Sequence, residues 1–405
     1  MSSRRWRWLV CTLVVGGSLS ACGSDAAERP SQSPAPPPNA PPAVPPAGPP
    51  VAADDPIALT AGAASSTMQC AITGDHRARC WGTLATDVLP GEPTVPTLVQ
   101  GLDAVEEIAI TWSVACARRT DRTVWCWGRP GESGMLGDGT SATRSTPAPV
   151  PGLADVTRVV ATSWSLCALS AEGVVWCWGS NERGGLGVGS SEPNVGLPAR
   201  VIGIDDAIDL AAGYNTVCAV QRGGSVLCWG RTNDEHSLGG TGGGVFVSSP
   251  SPVAGLAQVR AVAVGALFAC ALHDDGTVSC WGRNDRGQLG DGTTTPRVTP
   301  LRVSGLDGVV ELAAGDRIAC VRQREGTVAC WGHVNDSQRV EDPHAPQLTP
   351  VAIEGITHAV ELSVDARDVC VLLEGGDIRC WGVNAVGSVG DGTHESRSTP
   401  TPVRW

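Results

Sequence analysis

CALHDDGTVSCWG, residues 270–282, holds two cysteines ten positions apart, with Trp-Gly directly after the second. Cys, nine residues, then Cys-Trp-Gly recurs from Cys70, Cys116, Cys167, Cys218, Cys270, Cys320 and Cys370, so the starts step by 46, 51, 51, 52, 50 and 50 residues. A repeat of this length fits propeller blades or solenoid units, each too small to bury its own faces and so stacked on copies of itself. Seven copies are a number that closes into a ring.

Each repeat has the same parts. In the fifth, VRAVAVG (259–265) alternates as a strand, FACALH (268–273) and TVSCWG (277–282) form two more around Asp-Asp-Gly, RNDRGQLGDGT (283–293) is a turn-rich loop, and TPLRVSGL (299–306) leads onward. About four short strands per repeat predict an all-β fold, a seven-bladed β-propeller of four-stranded antiparallel blades. The last stretch, TPTPVRW (399–405), is one strand with no hairpin after it. It is expected to return to the blade begun by residues 57–82, closing the ring and removing exposed edges.

A three-residue turn at Asp274-Asp275-Gly276 pairs His273 with Thr277, and counting outward sets Cys270 opposite Cys280. Opposed residues of antiparallel strands lie within disulfide reach. The same count pairs Cys70 with Cys80, Cys116 with Cys126, Cys167 with Cys177, Cys218 with Cys228, Cys320 with Cys330 and Cys370 with Cys380. One intra-hairpin disulfide per blade uses fourteen of the sixteen cysteines and leaves Cys11 and Cys22 near the N-terminus. Metal ligands and buried reduced thiols are the competing readings. The first is disfavoured because no copy supplies a consistently placed histidine, and no metal or cofactor is expected.

The N-terminus reads as an export signal: Arg4, Arg5 and Arg7 precede a short apolar run, LVCTLVVGGSL (9–19). LSAC (19–22) resembles a bacterial lipobox, which implies a lipid on Cys22. Eleven prolines among residues 30–50 cannot build a core and favour extended polyproline II, a stalk of about 65 Å at ~3.1 Å per residue. The expected organisation is a lipoprotein signal peptide at 1–21, a lipid-anchored Pro-rich linker at 22–56 and the propeller at 57–405. Anchoring would be to a membrane through the lipid, periplasmic or at the cell surface. Only 4% of residues are aromatic, and the net charge is -12, with arginine the sole basic residue type besides histidine. Such a surface repels phosphate backbones and argues against a nucleic-acid partner.

The recurring frame TPxxVxGLxxVxxxAAGxxxxCALxxDGxVxCWGxNxxGQLGDGT, nearly whole in residues 249–293, resembles the repeat of the regulator of chromosome condensation family. The resemblance covers residues 57–405 and implies a seven-bladed propeller. It also implies guanine-nucleotide exchange on a small GTPase and chromatin binding, as in the founding eukaryotic members. The repeat spacing leaves no room for the hairpin insertion used in exchange, and the acidic surface and export signal argue against both activities. The family's histidine two positions before the CAL strand is replaced by Met68, Val114, Ser165, Thr216, Phe268, Ile318 and Asp368.

The Trp-Gly tryptophans occupy one repeat position and are expected to pack blades, and Trp125 and Trp176 are expected to pack between blades two and three. The aromatics outside the frame carry more information. Trp112, Trp164, Tyr214 and Phe268 fall just before the first cysteine of repeats two to five, where equivalent loops share one face. They would form an exposed binding arc flanked by Asp316, Arg317, Asp365, Arg367 and Asp368. The bland reading is that these rings tuck into the blade tops. LGDGT loops offer too few oxygens for calcium and read as tight turns. The favoured function is a non-catalytic extracytoplasmic scaffold, monomeric, recognising a protein or a surface glycan. A polysaccharide-active hydrolase or lyase is the alternative and would need carboxylates clustered at the mouth of the ring. A structural envelope protein is the third.

Overall fold

The computed structural model describes residues 53–60, 67–83, 93–182, 184–190, 192–231, 246–333 and 346–405, all within the unit Val51–Trp405. The expected leader, Cys22 and the linker up to residue 52 lie outside the described residues. Seven four-stranded antiparallel sheets form seven blades, each built from strands consecutive in sequence. Blade five runs outward through Val259–Val264, Phe268–His273, Val278–Gly282 and Arg297–Arg302.

The expected strand exchange at the chain end does not occur. The last strand, Arg397–Pro402, pairs with Ile378–Gly382 and completes blade seven, while blade one supplies its own outer strand at Thr97–Leu98. Every repeat starts with its innermost strand, so each blade is complete in phase with its repeat and no strand is left to lend. Blades seven and one are instead joined by side chains. Trp81 Nε1 donates to the Ser388 carbonyl at 2.8 Å, and the C-terminal Trp405 donates to the Asp54 carbonyl at 2.9 Å with Arg79 over its ring. Beneath them Gln69 Nε2 donates to Asp365 Oδ2 at 3.2 Å and to Asp368 Oδ2 at 3.3 Å, all three side chains lying within 1% of full burial.

The repeated cysteine-tryptophan stretch becomes clear across blades rather than within them. Cys270 stands opposite Cys280 as the turn count requires, and all seven pairs are bonded with Cα separations of 4.0–4.1 Å. Cysteine and tryptophan are neighbours on one strand and so point to opposite faces of the blade. Cys270 and Cys280 share a core cluster with Trp331 of blade six, and Cys320 and Cys330 with Trp381 of blade seven. Cys370 and Cys380 meet Trp81 of blade one, so the same contact carries across the ring junction. The core is thus a set of inter-blade layers in which a disulfide faces an indole.

The LGDGT loops serve the same layers. Trp178, Trp229 and Trp331 donate from Nε1 to the carbonyls of Met135, Gly185 and Gln288, each in the loop of the preceding blade, at 2.9–3.1 Å. Gly290 sits at φ +67°, and a Cβ there would lie 2.8 Å from Trp331 Nε1, so the loop needs glycine to let the indole close over it. The adjacent Asp291 accepts from the Thr293 amide and hydroxyl and pairs with Arg297 Nε at 2.7 Å. Its carboxylate is committed to the turn, as the tight-turn reading predicts.

Candidate partner-binding face

Two concave features stand out, one lined by the innermost strands and one by turns and loops. The first is the central channel, with a cavity of about 510 Å³ lined by the innermost strands. Each inner strand carries a bulge at its second residue, between Val105 and Glu107 in blade two and at the same place in the other six. Bulges re-aim the side chain that follows. Here that third position holds Glu107, Arg158, Asp209, Glu311 and Glu361 in five blades. Glu107 accepts from the Val159 amide at 2.8 Å, Asp209 from Val262 at 3.0 Å, Glu311 from Leu362 at 3.2 Å and Glu361 from Leu59 at 2.6 Å. In each case the donor belongs to the inner strand of the next blade. Arg158 pairs with Asp209 at 2.9 Å, and Arg260 donates to the Val309 carbonyl at 3.1 Å, so six of the seven junctions are bridged this way.

Sequence reading found no carboxylate cluster at the ring, yet the fold assembles one. The signal was the acid at the third place of VEEIAI, AIDLAA, VVELAA and AVELSV, visible only once the strands are stacked in phase. Burial pushes Glu107 and Asp209 above the usual carboxylate range, with Arg158 pulling against it, and pushes Glu361 up to about 7. The four acids are bound to backbone amides, which gives them a part in holding blade to blade.

The second feature is a cup on the face formed by the turns between the first and second strands. These turns are sewn together by backbone bonds: Trp112 N donates to Ser163 O at 3.3 Å, and Ser163 N to Tyr214 O at 3.0 Å. Thr111 Oγ1 accepts from the amides of Ser113 and Val114, and Thr162 Oγ1 from those of Trp164 and Ser165. The threonine side chains therefore fold the turns back on themselves and leave the indoles outside. Trp112 is 48% exposed and Trp164 42% exposed, and with half-buried Tyr214 they line one cup of about 610 Å³. Three of the four expected arc residues are thus brought together.

Phe268 is not among them, and this corrects the expected arc. It is fully buried, sharing a core cluster with Cys270 and Leu272. Trp112 and Tyr214 stand four residues before their cysteines and Trp164 three, all in the turn, whereas Phe268 stands two before and belongs to the strand. Period-two alternation puts it on the cysteine face. Gly265 makes room for it, since a Cβ there would lie 2.0 Å from the Phe268 ring. The expected charged border is also only partly superficial: Arg367 is exposed and Asp316 and Arg317 are partly exposed, but Asp365 and Asp368 are buried in the junction of blades seven and one.

The cup contains groups that motif reading passed over. Arg129 and Glu132 come from the loop of blade two and Glu182 from that of blade three, all exposed. Asn215, from the blade-four turn, lines the cup while only 5% exposed, and its Nδ2 has no hydrogen-bond partner among the described residues. Nothing in the sequence distinguishes this asparagine from an ordinary turn residue.

Residues 156–184 and 259–288 match one model of the regulator of chromosome condensation (RCC1) repeat, and residues 172–220 and 275–321 match a second. These matches support the RCC1 repeat family. The chain is 34% identical to the human E3 ubiquitin-protein ligase HERC2 over 215 residues, 51% of this chain and 4% of the ligase. It is 29% identical to the ultraviolet-B receptor UVR8 of Arabidopsis thaliana over 228 residues, 54% of this chain and 49% of the receptor. The match therefore spans half or less of these relatives' lengths. Among solved RCC1-like propellers, yeast RCC1 (Prp20) in complex with Kap60 aligns with a TM-score of 0.69 at 22% identity, over 80% of this chain and 83% of that one. Human WBSCR16 aligns with a TM-score of 0.67 at 21% identity, over 77% and 84% respectively. At these identities the structural likeness speaks to the fold alone.

Proposed function

We propose that this RCC1-type propeller is a non-catalytic extracytoplasmic binding scaffold that holds a protein partner in the cup of Trp112, Trp164 and Tyr214. The observation that carries the reading is the exposure of two tryptophans, 48% and 42%, side by side in a chain whose seven Trp-Gly indoles are all fully buried. Exposed aromatics in a concave site are the anchors around which protein interfaces are built. A protein is preferred to a glycan because the cup sets exposed aromatics beside charged side chains, the make-up of a protein interface. Seven disulfides suit an oxidising compartment. The lipid on Cys22 and the proline-rich stalk at 22–56 would hold the propeller off a membrane, with 57–405 as a monomeric binding head. The channel acids have a structural use on the scaffold reading, each accepting a backbone amide of the next blade.

The test compares capture by the purified domain and by Trp112→Ala/Trp164→Ala/Tyr214→Ala from the native envelope, followed by affinity measurement with the recovered partner. Loss of a partner from the triple variant, with unchanged unfolding, is the expected result. An identical partner set held with unaltered affinity refutes the site.

A further inference from the structure

The lining of the cup says more than that something apolar enters it. Besides the faces of Trp112 and Trp164 it presents two carboxylates, Glu132 and Glu182, against one guanidinium, Arg129. Among the described residues neither glutamate has an ion-pair partner, unlike Asp103, which pairs with Arg119, and Asp285, which pairs with Arg283. Aromatic faces attract cations through the ring quadrupole, most strongly for tryptophan. Unpaired carboxylates beside them add to that field, and the whole chain is acidic at -12. Asn215 Nδ2, buried and without a partner among the described residues, adds a donor free to meet an acceptor on whatever enters the cup.

We infer that the cup takes an arginine or lysine side chain presented on an extended segment of the partner. The alkyl stem and charged head lie against Trp112 and Trp164, Glu132 and Glu182 face the charge, and Asn215 Nδ2 is available to a carbonyl oxygen of the same segment. This rests on the scaffold reading and gives it a ligand class. A volume of about 610 Å³ falls in the range of pockets that enclose a side chain with its flanking backbone. A neutral sugar would stack on the indole faces and donate hydroxyls to the carboxylates but would bring no positive charge to them, so maltotriose serves as the competing probe.

The test is titration of the purified propeller, followed by calorimetry, with Ac-Gly-Arg-Gly-amide, its citrulline analogue, the glutamate analogue and maltotriose. The arginine peptide should bind, with affinity falling as salt rises, and the citrulline and glutamate peptides should bind at least about tenfold more weakly. Glu132→Gln/Glu182→Gln should weaken the arginine peptide about tenfold, and Trp112→Ala/Trp164→Ala should abolish binding. All four side chains are exposed, so these variants keep the fold, which an unchanged unfolding midpoint verifies. Equal binding of the arginine and citrulline peptides, binding of maltotriose alone, or no binding of the arginine peptide overturns the inference. Partner capture that is lost in the triple aromatic variant but not competed by the arginine peptide overturns the ligand class while sparing the scaffold. Capture indifferent to the triple variant removes both.

Discussion

The junction of blades seven and one, closed by side chains instead of a shared strand, makes the stability of the ring depend on pH in a direction opposite to acid denaturation. Asp368 is 1% exposed, shares the amide of Gln69 with Asp365, and is pushed by burial up to about 7. Asp365 beside it is driven well above its usual range by burial and by the Asp368 charge. A carboxyl whose folded value lies above its unfolded one favours the folded state while neutral. That contribution is complete below the unfolded value near 4 and is lost as pH rises through the window from about 4 to about 7. Three pH units at about 1.4 kcal/mol each set a ceiling of about 4 kcal/mol. Asp368→Asn keeps the oxygen that accepts from Gln69 and removes the charge. Its stability relative to wild type, from urea unfolding with disulfides intact, should therefore rise between pH 4.5 and pH 8, by up to about 4 kcal/mol. Surface acids such as Asp75, held low by the Thr73 hydroxyl, lose their contribution only as pH falls through their depressed values, so they act outside this window. A difference between Asp368→Asn and wild type that is constant across that range refutes the closure argument.

Denatured, unreduced protein lacking the leader should show no free thiol among the fourteen propeller cysteines, and Cys270→Ala/Cys280→Ala should cost about 3 kcal/mol for a loop of this length, read by urea unfolding. Gly290→Ala, which meets the Trp331 indole, should cost at least about 2 kcal/mol more than Gly255→Ala, which has the same positive-φ demand but open space around it; equal costs would deny the loop its part in seating the tryptophan. Trp331→Ala should cost about 3–5 kcal/mol and Trp112→Ala within about 0.5 kcal/mol, so a destabilised Trp112 variant would show that ring to be structural.

The scaffold was legible because its signals are local and repeated. Turn length fixes the register of each hairpin, register fixes which residues face each other, and seven copies multiply a weak pattern into a firm one. Cys270 opposite Cys280 needs nothing beyond counting from Asp274-Asp275-Gly276. What escaped were the properties that depend on phase between repeats. The partner of the last strand depends on whether a blade begins with its inner or its outer strand, which no local pattern encodes. The channel acids sit in four separate strands, hundreds of residues apart at the extremes, and become a ring only on closure. Phe268 was grouped with Trp112 by proximity to a cysteine, when two residues of offset decide between the turn and the core face.

That offset also explains why a binding site can exist on this face at all. In the two middle strands of each blade most positions are buried between neighbouring blades, where substitution meets a disulfide or an indole, whereas the outer strands are largely open to solvent. In blades four to six the turn glycines are claimed too: a Cβ on Gly213 would lie 2.3 Å from the Gly265 carbonyl and one on Gly315 2.0 Å from that of Asp365. Blades two and three replace that glycine with Thr111 and Thr162, which satisfy the turn amides from their own hydroxyls. Trp112, directly after Thr111, and Trp164, two places after Thr162, are left outside the packing of the ring. Rings held outward at that cost in exposed apolar area are explained by what they contact, so the place where the repeat departs from its own rule is the place where the partner is to be sought.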